Sequence, residues 1–221
     1  MRTPRRPIGV LLSGGLDSAV LLAWLAGRGR TVQPVYVRGG LIWEPAERVW
    51  LRRWLAAMPR RRVRPLRVVD APLRSLYGAH WSLTGRGVPG AGSRDAAVEL
   101  PGRNLVLFGC AAIACARQGV QELALGVLQR NPFGDATPAF LRGLSAALRA
   151  ALGRPIRLST PLRHLTKAQV IRRGRDWPLE LTFSCLRPGR GWRHCGRCNK
   201  CGERRRAFRA AGITDPTSYA A

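Results

Sequence analysis

Ser13-Gly14-Gly15-Leu16-Asp17-Ser18 puts two hydroxyls, two glycines and a carboxylate into six consecutive residues. Glycines let backbone N–H groups approach a ligand closely, and Ser13 and Ser18 add side-chain donors. A helix following such a bend presents free N–H groups and a partial positive charge, which together favour phosphate oxygens. The plainer use of the same residues is a tight strand-to-helix turn with Asp17 near the helix start. The stretch is neither G-x-x-x-x-G-K-[ST] nor G-x-G-x-x-G, so the P-loop and dinucleotide fingerprints are both excluded.

A second group lies near the other end. Cys185, Cys195, Cys198 and Cys201 follow a C-x9-C-x2-C-x2-C pattern within seventeen residues. Four thiolates so close together satisfy a tetrahedral Zn²⁺, and Gly196 and Gly202 permit the turns that gather them. A closed four-sulfur site leaves no position for water and implies a structural role, with folding of the C-terminal region dependent on the metal. Iron–sulfur clusters use similar runs, and His194 could replace one thiolate. Cys110 and Cys115 sit in an alanine-rich apolar stretch and read as small buried hydrophobes.

The elements that position these groups follow from periodicity. Residues 8–12 are a continuous apolar run ended by Ser-Gly-Gly, as in a buried parallel strand. A helix apolar all round is expected over 17–28, a strand over 31–37, a helix over 45–58 and a strand over 64–69. Residues 70–100 are glycine-rich without clear period and read as a long loop that could move or cover the site. Beyond it come a helix over 104–117, a strand over 122–127, a helix over 138–152, a strand over 156–158 and a helix over 166–174 capped by Thr166. Strands alternating with helices imply an α/β fold, a doubly wound and mainly parallel sheet. Its ligand site belongs beyond the carboxyl ends of the strands. The expected division is 1–180 for the catalytic unit and 181–221 for a small zinc-binding region.

At 221 residues and 46% hydrophobic content the chain suits one substantial domain with a small appendage. No apolar run reaches the roughly eighteen residues a membrane span needs. The N-terminal Met1-Arg2-Thr3-Pro4-Arg5-Arg6 is basic, but the short apolar stretch after it runs into Ser-Gly-Gly rather than a cleavage site, so no signal peptide is expected and the cytoplasm is the default. The net charge of +26 makes nucleic acid an admissible partner. It is not a required one: lysine occurs only at Lys167 and Lys200, and the arginines are scattered, with triplets only at 60–62 and 204–206. That pattern fits a compositional bias and a solvated basic face.

The hexapeptide resembles the S-G-G-x-D-S signature of the PP-loop ATP pyrophosphatases. With the C-terminal cysteine pattern, it resembles the 7-cyano-7-deazaguanine synthase family within that group. Pro101-Gly102-Arg103-Asn104, Thr160-Pro161-Leu162 with Leu165-Thr166-Lys167, 178–185 (P-L-E-L-T-F-S-C) and 211–217 (A-G-I-T-D-P-T) extend the likeness over nearly the whole chain. The resemblance implies an adenine nucleotide hydrolase-like, Rossmann-like fold and a nucleotide-binding stretch over Leu12, Ser13, Gly14, Gly15, Leu16, Asp17 and Ser18. Asp17 would orient the bend or help hold Mg²⁺. The implied activity is ATP-dependent carbon–nitrogen ligation. ATP adenylates the carboxylate of 7-carboxy-7-deazaguanine, ammonia displaces AMP, and a second ATP activates the amide to leave the nitrile. Structural zinc, a small deazapurine substrate and a homodimer are implied with it. Lys167 is the candidate for stabilising phosphate charge, or an exposed helix lysine. Arg103 could hold phosphate or the substrate carboxylate, or sit in a surface salt bridge, and Asn104 could cap its helix.

Two segments depart from the family pattern. Residues 37–41 read V-R-G-G-L where the family has Y-G-Q-[RK]-H, and 128–135 read L-Q-R-N-P-F-G-D where it has an acidic, aromatic stretch. Both leave the carboxyl ends of strands. A ligase for a related deazapurine carboxylate with another acceptor therefore stands beside the nitrile-forming reading. A tRNA-thiolating enzyme with Cys110 or Cys115 as sulfur carrier, and a non-catalytic zinc module that binds nucleic acid, stand behind it.

Overall fold

The computed structural model describes residues 6–59 and 61–220; the basic run over 1–5 and Arg60 of the first arginine triplet lie outside them. Five strands, β1 (Ile8–Leu11), β2 (Val32–Arg38), β3 (Arg67–Asp70), β4 (Glu122–Ala124) and β5 (Arg157–Ser159), form one sheet in the order β3-β2-β1-β4-β5. Every pairing in it is parallel. The helices are α1 (Leu16–Gly27), α2 (Glu44–Ala56), α3 (Arg74–Tyr77), α4 (Trp81–Thr84), α5 (Arg103–Ala116), α6 (Pro138–Leu152), α7 (Lys167–Gly174) and α8 (Asn199–Ala211).

Alternation along the strands decides which face each helix covers. Val10 and Leu12 of the first strand region, Val32 and Tyr36 of β2 and Ala124 of β4 join one buried layer with α1, α7 and the C-terminal half of α8. Val35, Val37, Leu123 and Leu125 point the other way, into a layer with Phe108, Ala111, Ala112 and Cys115 of α5 and Leu141 and Leu148 of α6. Cys115 is fully buried, with its sulfur against Gly9, which is the small-hydrophobe role expected of it. The α/β doubly wound architecture is thus as expected, and the strand order reverses between β1 and β4, where such folds bind ligands.

Two local expectations change. The edge strand β3 pairs from Arg67, three residues later than expected, because Pro34 in β2 has no N–H to offer its neighbour. The buried Gln33 side chain takes over, its amide donating to the carbonyls of Pro65 (2.9 Å) and Pro34 (3.1 Å). Residues 70–100 contain α3, α4 and a 3-10 turn, and buried Leu73, Val98 and Leu100 fasten them to a third apolar cluster. The chain near Gly90 is bonded to the cysteine region through Asn199 N to Pro89 O (2.8 Å) and Ala91 N to Arg197 O (2.9 Å).

α8 has no counterpart in the periodicity reading. Its apolar stripe is sparse, and Arg204 is one of its most buried residues, at 1% exposure. The guanidinium of Arg204 donates to Leu179 O and Thr182 Oγ1, both at 2.9 Å, and to Thr217 Oγ1, with Asp215 at 3.8 Å. Two of the sequence segments that carry the family resemblance, 178–185 and 211–217, therefore close around one buried cation. Cys185, Cys198 and Cys201 share the third cluster with Trp43, Leu73 and Phe183, so the cysteine region packs on α2 and on the 70–100 segment.

Candidate functional site

A cavity of about 320 Å³ opens at the carboxyl ends of β1, β2 and β4. Its front lip is the Ser13–Ser18 bend. Ser18 Oγ donates to Gly15 O (3.1 Å) and lies 3.3 Å from Ser13 Oγ, and Gly15 N donates weakly to Ser13 Oγ (3.4 Å). Gly14 has φ +83, a conformation that favours glycine, and its carbonyl accepts from Phe183 N at 2.8 Å. The first intrahelical bond of α1 is Ala19 N to Gly15 O (3.0 Å), so the preceding N–H groups of the turn precede the ladder. Opposite, Gly126 after β4 comes so near that a Cβ there would lie 3.1 Å from Ser18 N. Of the nucleotide-binding residues expected from sequence, Leu12, Ser13, Gly15, Leu16, Asp17 and Ser18 line the cavity, whereas Gly14 turns toward Leu51 of α2.

Lys167 reaches the bend from 150 residues away. Its Nζ lies 2.8 Å from Asp17 Oδ2 and 3.0 Å from Glu203 Oε1. Thr166 and Gln169 cap α7 reciprocally, fixing the turn that carries it. Burial works against the ammonium, but Asp17 and Glu203 outweigh it and hold its pKa above the ordinary lysine value. Burial alone would raise Glu203 as well; Lys167 and Lys200 outweigh it and bring that carboxyl down to about 2. Asp17 Oδ1 is buried with no hydrogen-bond partner.

Part of the far wall, Tyr36, Glu44 and Glu47, comes from residues that no motif marks. Tyr36 donates to Glu47 Oε2 at 2.9 Å, and burial pushes the Glu47 carboxyl up to about 8. Glu44 accepts from Gly39 N (2.7 Å) and Gly40 N (3.0 Å), so the departing segment 37–41 serves as a cradle for this carboxylate. Burial raises Glu44 and those two N–H bonds oppose it. Arg103 lines the cavity; its Nε is buried without a partner, and burial lowers its pKa against the pull of Glu47 and Asp135. The alternative of Asn104 as a helix cap fails. Gly102 occupies that position, while Asp135 accepts from both Asn104 N (3.0 Å) and Asn104 Nδ2 (2.9 Å). The other departing segment, 128–135, thus holds the start of α5 and places Asn131 and Phe133 on the cavity. A signal for Glu44 and Glu47 was present: two acids on a helix leaving a strand end, in a chain with few acids.

Cys185, Cys195, Cys198 and Cys201 bring their sulfurs within 4.8 Å of one another. Cys185 to Cys198 and Cys195 to Cys201 are each 3.9 Å apart. A tetrahedron of Zn–S bonds has edges of about 3.8 Å, so the four sulfurs could hold a metal ion with little movement. Backbone N–H groups of Leu186, Arg187 and Cys195 donate to the sulfurs at 3.3–3.4 Å, which favours thiolates. Hydrogen bonding from Cys185 holds Cys198 far below the usual thiol range, and the same contact pushes Cys185 far above it. His194 stands outside this set. Its Nε2 accepts from Ser184 N (3.3 Å), and its ring packs on Phe183, so it replaces no thiolate. Neither Cys110 nor Cys115 lines the cavity, and burial pushes Cys115 up to about 12, a poor setting for sulfur transfer.

No helix among the described residues is long and apolar enough to cross a membrane. The family described as queuosine biosynthesis protein QueC matches residues 8–212. The chain is 35% identical to the 7-cyano-7-deazaguanine synthase of Anaeromyxobacter sp. (strain Fw109-5), over 99% of this chain and 98% of that protein. It is 29% identical to the enzyme of that name from Acinetobacter baylyi, over 95% and 93% respectively. Among solved structures, a 4-thiouridine synthetase bound to RNA and ATP overlays on 79% of this chain and 42% of its own at 18% identity. The TM-score of that overlay is 0.48.

Proposed function

The chain belongs to the QueC family of queuosine biosynthesis proteins, and from that premise we propose that it is an ATP-dependent carbon–nitrogen ligase. Its substrates are 7-carboxy-7-deazaguanine, ammonia and ATP; its products are 7-cyano-7-deazaguanine, AMP and pyrophosphate. The observation that carries the reading is the Ser13–Ser18 bend at the β1/β4 switch point, with Lys167 and Asp17 paired on it. A carboxylate resists ammonia because its leaving group would be oxide. Transfer of AMP from ATP to a carboxylate oxygen expels pyrophosphate and makes AMP the leaving group. Ammonia adds, AMP departs and an amide results. A second adenylation on the amide oxygen, followed by loss of AMP and two protons, leaves the nitrile.

In this reading the bend and the first turn of α1 grip the pyrophosphate end of ATP. Lys167 offsets charge on the phosphates as the bond to pyrophosphate breaks. Asp17 Oδ1, buried and free, is the oxygen that Mg²⁺ would take, and Mg²⁺ supplies charge neutralisation when bound. Arg103, which lines the cavity and whose Nε is buried without a partner, binds the substrate carboxylate. The cysteine cluster holds structural Zn²⁺, since four thiolates leave no open position. Residues 1–180 are the catalytic unit and 181–221 the metal-binding region, a functional division laid over a shared core. The enzyme works in the cytoplasm as a homodimer, with nucleic acid not required.

Purified protein incubated with ATP, Mg²⁺, ammonium and 7-carboxy-7-deazaguanine should yield AMP, pyrophosphate and the nitrile by mass spectrometry. Release of AMP without nitrile would favour a second reading, a ligase for a related deazapurine carboxylate with another acceptor. The observation behind it is that segments 37–41 and 128–135, which depart from the family, both reach the cavity. No AMP with any substrate would refute both.

A further inference from the structure

The two lysines of this arginine-rich chain, Lys167 and Lys200, lie on different helices yet share one carboxylate. Glu203 Oε1 takes Lys167 Nζ at 3.0 Å and Glu203 Oε2 takes Lys200 Nζ at 2.6 Å. With the Lys167–Asp17 contact at 2.8 Å, four alternating charges run unbroken from the bend to the cysteine cluster. Their side chains are about three-quarters buried, with exposures of 23–28%. Setting four charges this deep carries a desolvation cost that ion pairing rarely does more than offset. Stability alone is therefore a weak reason for the arrangement. Lys167, Lys200 and Asp17 also line the cavity, and Glu203, which joins the two lysines, does not.

The four charges sum to zero in the free protein. Once Asp17 turns to a magnesium ion, Lys167, Glu203 and Lys200 are left with one net positive charge facing the same space. A compact ammonium on a flexible stem suits a phosphate there, and arginine, which the chain uses everywhere else, presents a broader planar fork. We infer that Lys200 is a second phosphate-contacting residue, delivered to the nucleotide by the cysteine cluster and held toward it by Glu203. The inference rests on the nucleotide reading of the Ser13–Ser18 bend. It gives the metal cluster a task beyond folding: Lys200 lies between Cys198 and Cys201 in the first turn of α8, so the same sulfurs that hold the metal fix the base of this side chain.

Having only two lysines makes the test clean. The intact, metal-loaded protein is treated with an amine-acetylating reagent, with and without magnesium pyrophosphate, and each lysine is quantified by peptide mass spectrometry. Pyrophosphate is expected to slow acetylation of both Lys167 and Lys200 by about tenfold or more. Protection of Lys167 alone would overturn the inference and leave the nucleotide site intact. In parallel, calorimetry follows binding of magnesium ATP, pyrophosphate and adenosine to wild type and Lys200→Gln. A lost charge-assisted contact should weaken ATP and pyrophosphate by about 10- to 100-fold. Adenosine binding and bound metal should stay unchanged, and Lys200→Arg should recover part of the loss. Wild-type affinity for pyrophosphate in Lys200→Gln would refute the role. Wild-type protein that binds neither ATP nor pyrophosphate would bring down the nucleotide reading along with it.

Discussion

Residues 12–18 form one lip of the cavity from a single stretch of backbone, whose serine hydrogen bonds span at most five residues, with Phe183 N on Gly14 O and Lys167 on Asp17 as longer-range ties. The facing wall is collected from Tyr36, Glu44 and Glu47, Arg103, Phe133 and Phe183, which belong to distant parts of the chain. The lip has few degrees of freedom: a Cβ on Gly126 would press on Ser18 N, and Gly14 needs a positive φ. The wall has more, because each of its groups can be re-set by the segment that carries it. Gly39 and Gly40 hold Glu44, and Asp135 holds Asn104. Under the proposed function, a site built this way would keep its way of activating a substrate while the facing wall, which carries the departing segments 37–41 and 128–135, is re-set.

The sharpest break of that contrast is Asp17→Ala. It should lower AMP formation by about 10³-fold or more, with zinc content unchanged by metal analysis; an active variant would move the nucleotide away from the bend. Cys198→Ser comes next, since the cluster supports the wall through Cys185 and Leu186. Loss of metal together with a fall in Tm on the order of 10 °C is expected, and a metal-free variant melting like wild type would remove the structural role. Arg103→Ala tests the wall itself. The KM for the carboxylate substrate should rise about 10- to 100-fold while the KM for ATP holds; an equal rise in both would place Arg103 on the nucleotide.

The smallest effect concerns Glu47. Its carboxyl is raised from the ordinary value of 4.5 to about 8, so the folded protein keeps a proton that the unfolded chain releases. That contribution to stability is fully present below pH 4.5 and is lost as pH rises through 8. Glu47→Gln should flatten the decline seen in urea melts at pH 5, 7 and 9. Parallel slopes in variant and wild type would mean that the carboxyl is ionised throughout.

Much of this was readable along the chain. The buried run at 8–12, the all-round apolar helix after it, the Thr166 cap and the spacing of the four cysteines are local patterns, and local patterns express backbone geometry and ligand number directly. α8 was not readable, because its apolar stripe is sparse and it also buries Arg204, whose partners, Leu179, Thr182 and Thr217, lie outside the helix. Glu44 and Glu47 were visible as acids but not as members of a site, since nothing in the residues around them tells that α5 and 183–186 will face them. The sequence determined the serine–glycine bend and the four-cysteine pattern. Only the tertiary structure decided that Lys167 would join Asp17 to the Glu203–Lys200 pair, because ion pairing across 150 residues depends on how α1, α7 and α8 pack and leaves no periodic trace.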